Sequence, residues 1–337
     1  MFHLPPGSAG RRLSIVAAAL AIAAMVTVAT MLAAAGAATS GSSSPACRAS
    51  AGSTIASVDS TVADDIYDNE RRGTEVSFDL AQITGAPDLR AAVAVGDRAA
   101  TLAAVKRIVF HPRWHIVRLR VLDAARQLLA DVGGPYAIAP VSGVLRSNGR
   151  SIGSFVMSVQ DDTGFAKLET RFVGDPIGIY VGGKLVAEGY AKLPDARPSG
   201  SNLTLGGVRY LLLGEAYDAF PAGTLKAVIL VAPPSPALTA QSCAALRAGE
   251  FGRVAERFAQ LAVSLPEHYL GFARTVRLYT GARVFVRDGA RQLASSGGSG
   301  PATLPASGTV SYQGTSWLVF SFEPRPPTRV YVLAPAR

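Results

Sequence analysis

The sequence predicts an α+β protein in which antiparallel sheets are each packed by helices, behind an N-terminal membrane helix. Three observations predict this class. Apolar residues follow a helical spacing between about Ser53 and Pro112. From His115 the pattern changes to strict alternation, which is typical of strands with one polar face. Strand-like runs separated by glycine turns then continue to the end of the chain, interrupted by amphipathic helices.

The N-terminal segment predicts export. Arg11 and Arg12 precede an uncharged stretch, Leu13–Ala38, whose 26 residues exceed the ~7–15 apolar residues of a signal-peptide core. A helix of this length spans the ~30 Å hydrocarbon layer. Positive charge on the short N-terminal side places the remainder outside the cytoplasm. We therefore expect a single-pass signal anchor in the cell membrane; the alternative is cleavage near the small residues Ala35–Ala38, followed by secretion.

The chain has two cysteines, Cys47 and Cys243. In an oxidising compartment an isolated pair is expected to form one disulfide. A lipid-modified Cys47 is the competing interpretation, but Ser44–Ala46 lacks the apolar residue that such a site needs. We predict the disulfide.

Charge and motifs exclude several classes of protein. The net charge of +9 is spread along the chain, whereas a nucleic-acid binder concentrates basic residues on one element. His111 and His115 are separated by Pro112 and lack the glutamate of a zinc-protease helix. Asp161 and Asp162 are expected to cap a helix over Phe165–Phe172. The sequence predicts no enzyme, no cofactor, no metal and no nucleic-acid partner.

The long helical region admits two interpretations. Its stripe of Ile55, Val58, Val62 and Ile66 would suit a coiled-coil stalk or, as we expect, packing against a sheet. A break is predicted at Gly85–Pro87, followed by a helix from Asp88, or from a cap near Asp97, to Val109.

Further elements follow in order. Asn148-Gly149 predicts a hairpin turn between two strands. A later amphipathic helix begins near Thr239, and strands are expected to resume at Thr275. The charged residues assigned to the solvent side of that helix are Arg247, Glu250, Arg253, Glu256 and Arg257.

Two segments about one hundred residues apart correspond, which predicts tandem copies of one sheet unit. Ile179-Tyr180-x-Gly182-x-Lys184 resembles Leu278-Tyr279-x-Gly281-x-Arg283, and Gly189 falls opposite Gly289. Two other matches are Gly207-x-x-Tyr210 with Gly314-x-x-Trp317, and VILVAPP at Val228 with VYVLAP at Val330. A weaker match joins LLAD at Leu128 to LVAE at Leu185.

A membrane anchor, a long helix, VLDAARQLLADVGG and GRSIGSFVMSVQD together resemble the Cache (PDC-type, double-Cache-like) extracytoplasmic sensor domains of bacterial receptors. The resemblance covers roughly Ile55–Pro335. It implies tandem PAS/Cache-like modules that bind a small ligand, with a signalling partner in the membrane. The residue set of amino-acid-binding double Cache domains is not found.

The predicted organisation has four parts. They are an anchor and linker over 1–46, a long helix with a first Cache-like module over 47–163, a second sheet module over 164–236, and a helix with a third, repeat-related module over 237–337.

A ligand site is expected on the loop side of the first sheet. Its candidate residues are Tyr136, Arg146, Arg150, Lys167 and Arg171. Arginine pairs with carboxylates through two parallel hydrogen bonds, so a small anion such as an organic acid is the expected ligand. The sequence thus predicts an extracytoplasmic small-molecule sensor without catalysis. The rivals are a cell-envelope scaffold built from degenerate modules and, less favoured, an exported enzyme.

Overall fold

The structure is a computed structural model that describes residues 46–221, 223–262 and 268–335. The expected membrane helix at Leu13–Ala38 lies outside these ranges. Within them, no helix combines the length and apolar character needed to cross a membrane.

The described residues form eight helices and sixteen strands. The helices are α1 (Ala51–Arg72), α2 (Thr74–Gly85), α3 (Pro87–Ala94), α4 (Arg98–Val109), α5 (Asp162–Phe172), α6 (Pro236–Thr239), α7 (Cys243–Ala262) and α8 (Tyr269–Thr280). The strands up to the middle of the chain are β1 (Arg118–Asp123), β2 (Leu128–Gly133), β3 (Ala137–Ile138), β4 (Val141–Ser147), β5 (Arg150–Ser158), β6 (Gln160–Asp161), β7 (Ile177–Val181) and β8 (Lys184–Gly189). The remaining strands are β9 (Asn202–Leu205), β10 (Val208–Phe220), β11 (Gly223–Val231), β12 (Arg283–Asp288), β13 (Arg291–Ser295), β14 (Gly308–Tyr312), β15 (Thr315–Arg325) and β16 (Thr328–Pro335).

The strands form three sheets, and every strand pairing is antiparallel. The first sheet has the order β2-β1-β5-β4. The second has the order β6-β3-β10-β11-β7-β8, with β9 also on β10, and the third has the order β13-β12-β16-β15-β14. The α+β class predicted from the sequence is therefore confirmed.

The long helical region is broken more often than expected. The break at Gly85–Pro87 is confirmed, with Pro87 starting α3, and the Asp97 side chain caps α4 by accepting the Ala100 N–H at 3.0 Å. A further break at Gly73 ends α1. The α1 stripe is buried in a core shared with α5, α7, α8 and the second and third sheets, so it packs inside the fold as expected.

One predicted strand is wrong. Residues 275–280 form the last part of α8, although Thr275 and Val276 favour strands and the segment alternates. Phe272, Ala273, Val276 and Tyr279 are buried at helical spacing, so packing of this stripe overrides the local preference. The first proposed match of the repeat, which placed Tyr279 opposite Tyr180, is wrong for the same reason, because Tyr180 lies in β7.

The repeat itself is structural and has a different register. Each sheet contains a hairpin, β1–β2, β7–β8 or β12–β13, and the last strand of the sheet pairs with the inner strand of that hairpin. The hairpin register shifts after Val121, after Ile179 and after Val286, which are equivalent positions in the three sheets. Gly207 and Gly314, and the strands that contain Val228 and Val330, are equivalent as expected.

The three units differ in what covers the sheet face that points away from the helices. Leu193 in the second unit and Leu304 in the third lie in loops that pack onto this face. In the first unit the corresponding loop leaves its own sheet, because β3 pairs with β10 of the second. This loop lies within the range predicted for the first module, 47–163.

The predicted disulfide is confirmed. Cys47 and Cys243 are bonded, with their Cα atoms 4.8 Å apart. The bond joins the residues just before α1 to the first residue of α7.

Candidate ligand-binding site

A cavity of about 380 Å³ lies between α7 and the β14–β15 hairpin. Its size is within the ~300–1,000 Å³ range of small-molecule pockets. The lining is mainly apolar and ends at one charged pair, Glu250 and Arg253. Leu246, Gly249, Leu318 and Phe320 also line this space. We call this space the α7 cavity.

Two glycines of α7 shape this cavity. A side chain at Gly252 would overlap the ring of Phe320, so the helix approaches β15 closely there. One turn earlier, Gly249 lines the cavity, and a Cβ at that position would meet nothing within 4 Å. Because Gly249 has no side chain, the space between α7 and β15 stays open at that position. At Gly252 the helix and Phe320 are in close contact, so no space remains there.

The charged end of the α7 cavity belongs to a larger group. This acid–arginine cluster comprises Asp59, Asp175, Glu250, Arg253 and Arg257, contributed by α1, the turn after α5, and α7. Arg253 donates a hydrogen bond from Nε to Oε2 of Glu250 at 2.9 Å. The Glu250 side chain is only 3% exposed, whereas that of Arg253 is 45% exposed and can reach solvent or a ligand.

Burial raises the pKa of two acids of the cluster, Asp59 and Asp175. Burial, together with the nearby carboxylates of Glu250 and Asp175, raises the pKa of Asp59 to about 9 against the opposing effect of the two arginines. Burial also raises the pKa of Asp175 to about 6, although Arg253 opposes this shift. A protonated Asp59 removes one negative charge from this buried cluster, as expected for a carboxyl group shielded from water.

Arg257 ties the cluster to the end of α5. Its guanidinium donates to the backbone carbonyl oxygen of Val173. It lies directly over Gly174, where a Cβ would fall inside the guanidinium group. Gly174 also has φ +86°, so both space and backbone conformation require glycine.

Sequence reasoning misplaced or missed most of this site. It assigned Glu250 to the solvent side of its helix, yet Glu250 is buried because α7 packs on α1 as well as on the third sheet. Asp59 was missed, although a signal existed. It lies on the buried stripe of α1 between Ile55 and Val62, where a charged residue is unusual.

The five residues predicted to bind the ligand lie in separate places. Arg146 and Arg150 are exposed at the β4–β5 hairpin, and Arg146 donates to the carbonyl oxygen of Gly149 at 3.3 Å. Lys167 and Arg171 are exposed on α5. Tyr136 precedes β3, and its carbonyl oxygen accepts the Asp162 N–H at 3.3 Å.

None of these five residues lines the α7 cavity or the cavity beside Trp114. Their shared role in ligand binding stays a prediction.

The predicted cap is confirmed, because Asp161 accepts the Gly164 N–H at the start of α5. The segment Gly149–Gly153, GRSIG, matches the Gly-x-Ser-x-Gly pattern of hydrolases. Ser151 lies in β5 of a hairpin, however, and not on the strand-to-helix turn that exposes such a nucleophile. Within the described ranges no three His, Cys, Asp or Glu side chains are grouped to hold a metal ion.

Comparison with known proteins gives no identification: no protein-family model matches the chain, and no curated protein matches it.

Proposed function

We propose that the chain is an extracytoplasmic sensor of the Cache type, built from tandem PAS/Cache-like modules, which binds a small organic acid without transforming it. The observation that carries the proposal is the α7 cavity, an apolar space that ends at a half-exposed arginine. The repeated strand order of the three sheets supports a modular sensor architecture.

The lining of the cavity favours an acid with an apolar body. Leu246, Leu318 and Phe320 offer apolar surface. Arg253 has five N–H donors, so it can hold Glu250 and still donate to a ligand carboxylate. A cationic ligand would have to displace Arg253 from Glu250, which would leave a buried charge pair broken at high cost.

The test is thermal denaturation of the full-length chain against libraries of organic acids and amino acids, followed by calorimetric titration of any acid that raises the melting temperature. Gly249→Leu places a side chain in the cavity and raises the helix propensity of α7. It should abolish the rise in melting temperature that the ligand causes. Arg253→Gln should weaken binding by about tenfold, as expected for one charge-assisted hydrogen bond. Arg247→Gln, on the same helix but outside the cavity lining, is the matched control and should bind normally.

A flat response to both libraries would refute the proposal, and so would an unchanged response in Gly249→Leu. The second candidate is a cell-envelope scaffold that uses degenerate modules as docking surfaces. It is favoured by the outer faces of the second and third sheets, which are filled by the chain's own apolar side chains, such as Tyr180 and Phe285. Capture of an envelope protein by crosslinking, together with a flat ligand screen, would support it.

A further inference from the structure

A second cavity, of about 360 Å³, lies among the helices that pack on the first sheet. It opens between the α2–α3 junction and the turn that follows α4. The side chains that define its chemistry are Gln82, Asp88, Arg107, His111 and Trp114. We call it the Trp114 cavity, and it shares no lining residue with the α7 cavity.

The aromatic wall of this cavity is held in place before any ligand arrives. The rings of His111 and Trp114 are stacked, with centroids 4.1 Å apart and planes at 25°. The turn fixes both residues, because the His111 N–H donates to the Ile108 carbonyl oxygen and the Trp114 N–H to the His111 carbonyl oxygen, each at 3.2 Å. His111 Nδ1 accepts the Arg113 N–H at 3.3 Å, which fixes the imidazole further. A fixed aromatic pair loses little entropy when a flat ring packs on it.

The Arg107 side chain, which forms the charged wall, can turn from Asp88 toward a ligand at little cost in free energy. Arg107 pairs with Asp88, and their side chains are 63% and 48% exposed. Exposed pairs of this kind contribute only ~0–1 kcal/mol. Arg107 can therefore turn toward a ligand anion, and Arg113, adjacent to the aromatic pair, adds a second positive charge that disfavours cations.

We propose that the Trp114 cavity binds a flat aromatic carboxylate. The ring packs against the Trp114–His111 pair, and the carboxylate accepts hydrogen bonds from the Arg107 guanidinium. This site is separate from the one in the proposed function, and either can fail without the other.

The test uses intrinsic fluorescence, since the chain has only two tryptophans. In full-length Trp317→Phe, Trp114 is the sole reporter. Three probes of similar size separate the contributions: phenylacetate, its non-aromatic analogue cyclohexylacetate, and the cation phenethylamine. Phenylacetate should change the Trp114 signal saturably and bind at least about tenfold more tightly than either analogue.

Two exposed substitutions then move the affinity in opposite directions. Arg107→Gln should weaken phenylacetate binding by about tenfold. Asp88→Asn keeps the oxygen that accepts the Leu89 N–H but releases Arg107, so it should tighten binding by about two- to fivefold. Arg247→Gln, which lies outside the lining of both cavities, should leave the Trp114 response to phenylacetate unchanged.

Calorimetric titration of the wild-type chain reports binding at every site, and the same titration of Arg107→Gln separates the Trp114 cavity from the α7 cavity. The proposal is overturned if phenylacetate does not bind at millimolar concentration, if the three probes bind alike, or if Arg107→Gln binds as the wild type does.

Discussion

Tyr180 and Arg287 occupy equivalent positions in the second and third sheets, and each side chain holds the loop that covers its sheet. Tyr180 donates from its hydroxyl to the Pro194 carbonyl oxygen at 3.1 Å. Arg287 donates to the carbonyl oxygens of Pro301 and Ala302, the latter at 3.1 Å. Leu122 is the equivalent residue of the first sheet, and its side chain has no hydrogen-bond donor. The loop of the first unit joins the second sheet instead, through β3.

Loss of these tethers should loosen the covering loops. Tyr180→Phe removes one neutral hydrogen bond and should cost about 0.5–1.5 kcal/mol of unfolding free energy. Arg287→Met removes a charged donor from a site 6% exposed and leaves two carbonyls unpaired, so it should cost about 1.5–3 kcal/mol or more. Urea denaturation gives the costs, and faster amide exchange in residues 190–201 or 296–307 locates them.

Tyr190→Phe is the control for these variants, because Tyr190 is 79% exposed. If it destabilises as much as Tyr180→Phe, or if amide exchange in the loops does not change, the tether interpretation is wrong.

Asp59 should make stability depend on pH. Because its pKa is raised from 3.8 to about 9 in the folded chain, its favourable contribution is complete below pH 4 and is lost as the pH rises toward 9. Asp59→Asn imitates the protonated form and cannot ionise. Relative to wild type it should therefore gain stability as the pH rises, on the order of 1–3 kcal/mol at pH 8.5.

The measurement is the difference in unfolding free energy between wild type and variant at pH 4.5 and pH 8.5. Asp288→Asn, at an exposed acid, should show no such change between the two pH values. A difference for Asp59→Asn that stays constant with pH would rule out a neutral Asp59.

Two glycine substitutions should have opposite signs. Gly174→Ala strains a residue at φ +86° and displaces Arg257, so it should destabilise the fold by about 1–3 kcal/mol or more. Gly249→Ala places a methyl group in open space on a helix and should stabilise by up to about 1 kcal/mol. Denaturant unfolding measures the change in unfolding free energy of each variant. Changes of the same sign would contradict the packing around α7.

Removal of the disulfide should destabilise the chain by about 2–5 kcal/mol, because the bond closes a loop with a sequence separation of 196 residues. The variant Cys47→Ala/Cys243→Ala should match reduced wild type in melting temperature and should not respond to reductant. A wild type that melts at the same temperature with and without reductant would contradict the prediction.

Local signals predicted local structure well. Asn148-Gly149 forms the predicted hairpin turn, with φ of 49° and 76°, and Asp97 caps α4 as predicted. Such signals depend on a few neighbouring residues, whose conformational preferences the sequence displays directly.

The failures occurred where distant contacts decide the outcome. The segment 275–280 has the composition of a strand, but burial of Val276 and Tyr279 among the helices made it helical. The α7 cavity depends on which strand α7 meets and on where Gly249 and Gly252 then lie, and neither can be known before the fold is known. The register of the repeat was obscured because α8 ends in a Tyr-x-Gly that imitates the β7–β8 turn.

The Cys47–Cys243 bond makes the chain between these residues a closed ring. The first and second sheets lie within the ring, and the third sheet follows it as an open tail. A single protease cut within the ring therefore leaves the chain covalently joined until the bond is reduced, whereas a cut between α8 and β16 divides it into two pieces. Any processing that must free part of this protein in an oxidising compartment is thus confined to the segments outside the ring, before Cys47 or after Cys243.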